Sequence, residues 1–410
     1  MSLEIGHPIR HHLFRMRFTE MNEIYWFMIL RSFALSLLTI FVPIYLYKAN
    51  FGVSNIFLYY ISLYFFEFLF EYVAARFLKL RGPKHSMILS LPFLIVHIWQ
   101  LLTLSQFHWS PLALSITLSI ALAFFWEGYH YDFSRSKHTA KTTREVGKIF
   151  IAMTLIGAAA PLIGGLIATY FGTRPLLVIV IVLLSFGSLI LFKTKDRNFR
   201  KGKFDISKVS LANIDKHLVS YAGLGWETVS AGQIWPLFLF FIISSYSGIG
   251  LITSVTLLLS IIVTYWVSRR ADNGKRADYL RGGSLLNGIV CFLQVFVETV
   301  TQAFAVNVGR SLAQSVFKPP FDSEYYLHAD EESRSEYIYI MESAVDLSRL
   351  VFHVIMYVLS LSFSLHIVLI VGLIMGAFGS LLVSFMPAAK CEICGEIKNK
   401  EIKMSRRLNA

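Results

Sequence analysis

The stretch of sequence that decides the fold lies near the middle of the chain and reads KTKDRNFRKGKFDISKVSLANIDK at residues 193–216. Eight of its residues are Lys or Arg. Almost no polar side chain occurs in the segment 175–191 before it, and apolar segments resume at Leu218. The flanking segments are longer and more apolar than the helices of a soluble core. The sequence therefore predicts a polar linker between two hydrophobic halves, and not a surface loop of one globular domain.

The composition is typical of a protein that spans a membrane. Hydrophobic residues make up 55% of the 410-residue chain, charged residues make up only 16%, and Phe occurs 35 times. The apolar runs are continuous, which favours helices of about 20 residues over the alternating strands of a membrane barrel. No small-residue cleavage site follows the first run, so we expect a retained span and not a signal peptide. Three Cys residues make no disulfide framework.

Twelve apolar segments follow one another along the chain, six before the linker and six after it. They cover residues 23–47, 53–75, 85–104, 111–133, 146–171, 174–192, 217–245, 248–268, 277–299, 301–325, 337–362 and 365–386. These predicted spans divide the chain into five parts. The parts are a cytoplasmic N-terminal arm (1–22), a first six-helix bundle (23–192), a cytoplasmic linker (193–216), a second six-helix bundle (217–387) and a cytoplasmic tail (388–410).

The distribution of Lys and Arg predicts the orientation of the chain. Of the 38 Lys and Arg residues, 33 lie in the arm, the linker, the tail and the four loops that this topology places on the same side. Cytoplasmic loops of membrane proteins carry such an excess of Lys and Arg. We therefore expect a protein of the plasma (inner) membrane with both termini in the cytoplasm. The same distribution explains the net charge of +12 without a nucleic-acid partner.

The two halves resemble each other in sequence at an offset near 193. Residues 42–47, VPIYLY, recur as WPLFLF at residues 235–240. Basic loops follow the second and the eighth predicted span, at residues 79–84 and 273–276. Several matches at one offset and in one topology predict an internal repeat of six spans, which is typical of two-bundle transporters.

On these features the chain resembles the major facilitator superfamily over nearly its whole length. Residues 157–165, GAAAPLIGG, are similar to a Gly-Pro stretch of that family, with Ala160 in place of its first Gly. The loop signature departs from the family, because Glu71 stands where the family has Gly and Ala75 stands where it has Asp. The resemblance implies an all-α membrane protein with twelve transmembrane helices in two pseudo-symmetric six-helix bundles. It also implies that the first, fourth, seventh and tenth spans line a central cavity.

Charged residues inside the predicted spans are candidates for substrate binding, because a charge in the membrane interior is costly and usually functional. The resemblance implies that Arg31, Glu227 and Arg310 face the cavity. The planar fork of Arg can hold a carboxylate or phosphate through two hydrogen bonds. We therefore predict an anion site at which Arg31 and Glu227 meet across the cavity in one state. The alternative is that Arg31 pairs with Glu67 or Glu227 only to hold the bundles together.

A second group of charged residues predicts a coupling site or charge relay. The eleventh span carries a stripe of titratable residues spaced four, three and four apart, and this spacing places them on one helix face. Together with Glu67 in the second span, the relay candidates are Glu342, Asp346, Arg349 and His353. The alternative is a self-neutralised structural stripe.

A cytoplasmic gate is the third predicted site. Because the usual loop Asp is absent, the acids that close the gate have to come from the inner ends of the fourth and tenth spans. The gate candidates are the acids Asp132, Asp322 and Glu324 and the bases Arg76, Arg81, Arg270 and Lys275.

Few other features of the sequence carry chemistry. Cys391 and Cys394 are half of a zinc site that His11 and His12 could complete, but free thiols are the simpler interpretation, and we predict no metal. No phosphate loop, nucleophile elbow or metalloprotease motif occurs, so we expect neither an enzyme nor a cofactor. The predicted partners are a small-molecule substrate, a coupling proton or cation, and membrane lipids, with the protein a monomer.

The sequence thus predicts a secondary active transporter that moves a small solute by alternating access, an anionic solute if Arg31 and Arg310 bind it. A non-transporting membrane scaffold or sensor on the same fold is one alternative. A lipid flippase or lipid-handling membrane enzyme is another, and it predicts an apolar cavity that opens laterally.

Overall fold

The computed structural model describes residues 20–49, 51–137, 141–192, 201–209 and 214–389. These residues form helices and connecting segments without any strand. The α-helices are α1 (Glu20–Ser36), α2 (Val42–Lys48), α3 (Val53–Arg81), α4 (Pro83–Leu102), α5 (Leu104–Phe107), α6 (Pro111–Ser136), α7 (Thr142–Gly157), α8 (Ala159–Tyr170), α9 (Thr173–Ser188), α10 (Ile214–Val229), α11 (Trp235–Ile243), α12 (Tyr246–Arg270), α13 (Arg276–Leu293), α14 (Val300–Glu331), α15 (Arg334–Ser360) and α16 (Leu365–Val383). The candidate metal ligands His11, His12, Cys391 and Cys394 lie outside the described residues.

Each of the twelve predicted spans coincides with one of these helices or with a consecutive pair. Nine helical segments within the described part of the chain are long and apolar enough to cross a membrane. The three other predicted spans fall on α9, which is short, and on α13 and α14, which carry more polar side chains. The chain is therefore an all-helical integral membrane protein, as the sequence predicts.

Two helices extend well past the ends of their predicted spans. α3 continues to Arg81, and α14 continues to Glu331. The extension of α3 carries three cations, which suit a helix that leaves the hydrocarbon layer and continues in water. The extension of α14 ends in Asp330 and Glu331, but residues 326–329 before them are buried inside the protein. α3 ends where Gly82 adopts a positive φ of 100°, a conformation that favours glycine.

Three of the predicted spans are interrupted helices. A 3-10 turn, Thr39–Phe41, separates α1 from α2, and a π turn, Ser230–Ile234, separates α10 from α11. Pro43 and Pro236 lie at the first turn of the helix that follows each break, where a missing backbone N–H is tolerated. α7 and α8 meet at Ala158, three residues before Pro161.

Helices pack within each half and also between the halves. In the first half α6 packs against α3 and α4, and α1 packs against α7 and α9; in the second half α16 packs against α10 and α13, and α14 packs against α12 and α13. The contacts between halves join α3 to α15, α8 to α12 and α7 to α14. A Cβ atom built on Gly165 would lie 2.5 Å from the carbonyl O of Tyr246, so the small residues of the 157–165 stretch allow α8 and α12 to touch.

Candidate functional site

A cavity of about 310 Å³ lies between the two halves. Its wall is contributed by α1, α6 and α7 from the first half and by α10, α14 and α15 from the second. Aromatic rings form much of this wall, among them those of Trp126, Tyr129 and Phe321. The polar residues of the wall are His130, Thr228, Lys318, Asp322, Glu342 and Arg349.

The polar side chains of the cavity contact one another. Lys318 and Asp322, one turn apart on α14, form an ion pair of 3.0 Å. The Tyr325 hydroxyl donates a hydrogen bond of 3.0 Å to Glu342, and His130 Nε2 lies 3.5 Å from the same carboxylate oxygen. The cavity therefore presents an aromatic surface with a few charged groups, an arrangement typical of small-molecule sites.

Arg31 lies beside this cavity and has no counter-ion among the described residues. Its side chain is buried, with 6% of the residue exposed. The guanidinium carbon is 3.4 Å from the centroid of the Phe125 ring and 5.9 Å from that of Trp126. Its Nε has no hydrogen-bond partner. The cation is thus held by aromatic faces, which attract it through the ring quadrupole, and Glu227 does not reach it.

Glu227 instead binds Arg310 within the second half. Arg310 Nη2 donates a hydrogen bond of 3.1 Å to Glu227 Oε1, and the same oxygen accepts from Gln314 at 2.8 Å and from Asn287 at 3.2 Å. Arg310 Nη1 donates to Gln294 Oε1 at 3.2 Å. The Glu227 carboxylate is thus surrounded by donors, whereas Arg310 Nε has no hydrogen-bond partner. The pair lies outside the cavity of about 310 Å³, and Arg310 lines a separate cavity of about 120 Å³.

The relay candidates of α15 lie at the junction of the two halves. Arg349 Nη1 donates to Asp346 at 3.3 Å, and the Arg349 guanidinium also reaches Thr228 in the cavity wall at 3.4 Å. His353 Nε2 lies 2.7 Å from Gln233 Oε1, and Gln233 donates to the Tyr64 hydroxyl at 2.7 Å. The stripe therefore connects the cavity to α3 of the opposite half.

Glu67 forms a buried cluster beside Asp346 with two acids outside the predicted set, Glu71 and Glu127. Glu67, Glu71 and Asp346 each contribute a carboxylate oxygen, and these oxygens lie within 4.8 Å of one another. Glu127 of α6 contacts Glu71. All four residues are buried. The four-residue spacing of Glu67 and Glu71 on one helix face is the signal from which their proximity could have been predicted.

The gate candidates form contacts other than those predicted. Asp132 pairs with Arg135 at 2.6 Å and Asp322 pairs with Lys318, each on its own helix, while Glu324 accepts from Arg276 at 3.3 Å. Arg76 and Arg270 lie over the rings of Tyr72 and Trp266. The side chains of Arg81 and Lys275 are exposed.

The halves are instead joined at this end by residues outside the predicted set. Lys137 donates a hydrogen bond of 2.5 Å to Asp330, which also accepts one of 2.6 Å from Arg334. Burial lowers the pKa of the Lys137 ammonium group, and the nearby Asp330 carboxylate opposes that shift. Asp272 of the second half accepts hydrogen bonds of 3.1 Å from the backbone N–H groups of Thr143 and Arg144. An acid at the first turn of α7 is favoured by the dipole of that helix.

Comparisons with known proteins show the fold. No protein-family model matches the chain, and no curated protein matches it in sequence. The structure is similar to that of the human organic anion transporter MFSD10 (TETRAN), with 13% identity and a TM-score of 0.65 over 89% of this chain and 98% of that one. It is similar to a bacterial homologue of the iron transporter ferroportin in an outward-facing state. The identity is 14% and the TM-score is 0.65, over 90% of this chain and 98% of that one. It is also similar to the E. coli fucose:proton symporter FucP. The identity is 10% and the TM-score is 0.62, over 89% of this chain and 97% of that one.

Proposed function

We propose that this chain, an integral membrane protein with the fold of major facilitator superfamily transporters, is a secondary active transporter of a small solute. Twelve transmembrane helices in two six-helix bundles would open a central site alternately to each side of the membrane. The observation that carries the proposal is the cavity of about 310 Å³ whose wall comes from helices of both halves. A solute bound there contacts both bundles, so its binding can be linked to their relative movement.

The solute that we propose is metabolite-sized and carries an anionic group. A buried guanidinium without a counter-ion is unfavourable, and a carboxylate or phosphate would satisfy its fork. Trp126 lines the cavity, and its ring centroid lies 5.9 Å from the guanidinium carbon of Arg31. The Trp126 side chain therefore lies between the Arg31 cation and a solute in the cavity. A transporter with the same fold is named an organic anion transporter, which agrees with this choice. Arg310 is already neutralised by Glu227 and is the weaker candidate.

Coupling to a proton or cation is proposed to run through α15. Arg349 contacts both Thr228 in the cavity wall and Asp346 in the acid cluster. A solute that changes the position of this guanidinium would change the charge balance of the cluster, with Glu67, Glu342 and His353 as neighbours. FucP, which has the same fold, is named a proton symporter.

The proposed orientation places both termini and the Lys137–Asp330 contact on the cytoplasmic side of the plasma (inner) membrane, in a monomer. The contacts of Asp330 and Asp272 between the halves then close the cavity towards the cytoplasm. These contacts are one ion pair with a buried Lys137 ammonium group and two hydrogen bonds from backbone N–H groups. Such a small number of contacts can close the gate and still break during transport.

A lipid flippase is a second candidate, and one observation favours it. An apolar cavity of about 490 Å³ lies among α3, α10, α15 and α16, lined by Phe68, Trp226 and Leu347 among others. Leu347 is 49% exposed at its edge. An acyl chain would fit this wall, whereas a polar solute would find almost no hydrogen-bond partner in it.

Uptake by the purified full-length chain in proteoliposomes tests the proposal. The panel consists of small carboxylates and phosphates with a neutral analogue of each, and a fluorescent phospholipid is assayed in parallel. We expect uptake of an anion and not of its neutral analogue, and Arg31→Ala should lower it at least about tenfold because a charge-assisted fork is lost. Arg31→Lys should restore little, since a point charge cannot replace the fork.

Arg174→Ala is the matched control, because Arg174 lies at the start of α9, outside the cavity wall, and donates a hydrogen bond of 3.1 Å to the exposed Ser105 hydroxyl. Its uptake should equal that of the unmodified protein. Lipid flipping without solute uptake would replace the proposal by the flippase, and the absence of both activities would favour a scaffold. Normal uptake by Arg31→Ala would remove the anion site.

A further inference from the structure

Four carboxyl groups that belong to both halves of the chain meet in the protein interior. Glu67 and Glu71 lie one turn apart on α3, Asp346 faces them from α15, and Glu127 reaches Glu71 from α6. None of the four residues is more than 2% exposed. Four like charges in such a place repel one another strongly unless something neutralises them.

The described side chains do not supply that neutralisation. Arg349 is the cation in contact with the group, through a single hydrogen bond to Asp346 Oδ1. The two ring nitrogens of His353 contact the Arg349 carbonyl and Gln233, so this ring binds none of the four acids. Glu342, the next acid on α15, adds a further negative charge and contacts Tyr325 and His130. One Arg therefore faces four buried acids.

Oxygen atoms of the cluster lack hydrogen-bond partners. Glu67 Oε2, Glu71 Oε2 and Asp346 Oδ2 are buried without a donor. Glu127 comes from a third helix, is fully buried and accepts no hydrogen bond from a described N–H or hydroxyl group. Its contact with Glu71 brings another acid to it and no cation. A buried ionised carboxylate without a partner is strongly unfavourable, so these five oxygens have to be neutralised either by protons or by a bound cation.

We propose that Glu67, Glu71 and Asp346, supported by Glu127, bind a hard metal cation of the size class of Na⁺ and Ca²⁺. The ligand atoms are all carboxylate oxygens, which hard cations prefer, and no Cys or His nitrogen is among them to select a softer metal. Oxygens around Ca²⁺ lie at about 2.3–2.6 Å, so ligands on opposite sides are roughly 5 Å apart. The candidate oxygens lie within 4.8 Å of one another, so one cation can reach all three. Mg²⁺ demands a near-ideal octahedron and gives up its water reluctantly, so a site built from carboxylates alone suits it less well.

The position of the site gives the bound cation a mechanical role. Two ligands belong to the first half and one belongs to the second, so movement of α3 away from α15 separates the ligands. A bound cation holds the halves together at this point, and its release permits them to part. This role in coupling rests on the proposed function, whereas binding of the cation does not.

Thermal unfolding of the full-length protein in detergent tests binding without any transport substrate. The protein is titrated with CaCl2, NaCl and MgCl2 at one pH, and choline chloride supplies equal ionic strength in the reference. We expect Ca²⁺ or Na⁺ to raise Tm by about 3 °C or more at saturation, with a smaller effect of Mg²⁺. Binding of radioactive ⁴⁵Ca²⁺ or ²²Na⁺ should give one ion per chain and tells which of the two is the ligand.

The variants Glu67→Gln, Glu71→Gln and Asp346→Asn separate a cation site from a structural cluster. In choline Glu67→Gln and Glu71→Gln should be at least as stable as the unmodified protein, because a repelling charge is removed. Asp346→Asn also takes a partner from Arg349, so no gain in stability is expected of it. In all three variants the cation-dependent rise of Tm should be lost. Glu227→Gln is the matched control, since it neutralises a buried acid outside the cluster and should keep the rise. No rise over choline with any metal, or a rise that persists in all three variants, would overturn the site. Transport assays in proteoliposomes then test the coupling role, and their failure would leave the measured binding intact.

Discussion

Arg31 and Arg310 are two buried guanidinium groups, one in each half of the molecule, with opposite surroundings. Arg310 donates to Glu227 and Gln294 and lies in a network completed by Gln314 and Asn287. Arg31 lies on the Phe125 ring without an acid or an amide partner among the described residues. The difference teaches that a charged residue inside a span is structural when its own half neutralises it, and available for a ligand when it does not.

The first way to test this contrast is to remove Arg310, the cation that Glu227 neutralises. Arg310→Met should lower the free energy of unfolding by about 3–5 kcal/mol, because Glu227 is left as a buried charge without its counter-ion. Equilibrium unfolding in mixed micelles measures this loss. It is the largest effect that we expect from a single substitution in the chain's charged interior.

Glu227→Gln in the Arg310→Met background is the control for that experiment. The Gln side chain keeps an oxygen that can accept from Asn287 and Gln314, and no charge remains, so part of the lost stability should return. If the double variant were as unstable as Arg310→Met alone, the loss would come from packing and not from the ion pair.

The second test removes Arg31, the cation that has no counter-ion among the described residues. Arg31→Met should change the free energy of unfolding by less than about 1 kcal/mol, because the lost attraction to Phe125 is offset by the removal of an unpaired buried charge. The same unfolding measurement in the same micelles applies. A loss as large as that of Arg310→Met would mean that Arg31 has a structural partner and that the contrast between the two residues does not hold.

The smallest expected effect concerns the ring beneath Arg31. Phe125→Leu keeps an apolar side chain but removes the aromatic face, which should lower stability by roughly 1 kcal/mol beyond the change in packing. In the Arg31→Met background this additional loss of stability should be absent, because no cation remains over the ring. Equal effects of Phe125→Leu in the two backgrounds would show that the ring contributes packing alone.

Most of the fold follows from the sequence because the membrane allows few solutions. A continuous apolar run of sufficient length has to be a helix, since its backbone groups have no water to bind. For this reason each predicted span coincides with helix. The ends of the helices are less predictable. Charged residues such as Lys79 and Arg81 can continue a helix beyond the hydrocarbon layer as readily as they can end it.

The candidate sites follow from the sequence only in part. The depth of Arg31, Glu227 and Arg310 can be counted along the chain, but the rotation of each helix decides which of them meet, and the pairing of Glu227 with Arg310 depends on it. Glu127 joins Glu71 from another helix, a contact between residues 56 positions apart that no spacing rule indicates. Asp272 reaches Thr143 across the two halves for the same reason.

The interruptions before Pro43 and Pro236 have a consequence for the symmetry of the molecule. They occupy equivalent places in the two repeats, yet one is a 3-10 turn and the other is a π turn. A 3-10 turn advances about 120° per residue against about 100° in an α-helix, so it overwinds the chain, while a π turn underwinds it. The helices beyond the breaks, α2 and α11, are therefore rotated in opposite senses relative to α1 and α10. We therefore expect that the rotation which superposes α1 on α10 does not superpose α2 on α11, although VPIYLY and WPLFLF match in sequence. The contact between the two segments is accordingly not between equivalent residues, because Tyr47, the last residue of the first motif, meets Phe241, the residue after the second motif.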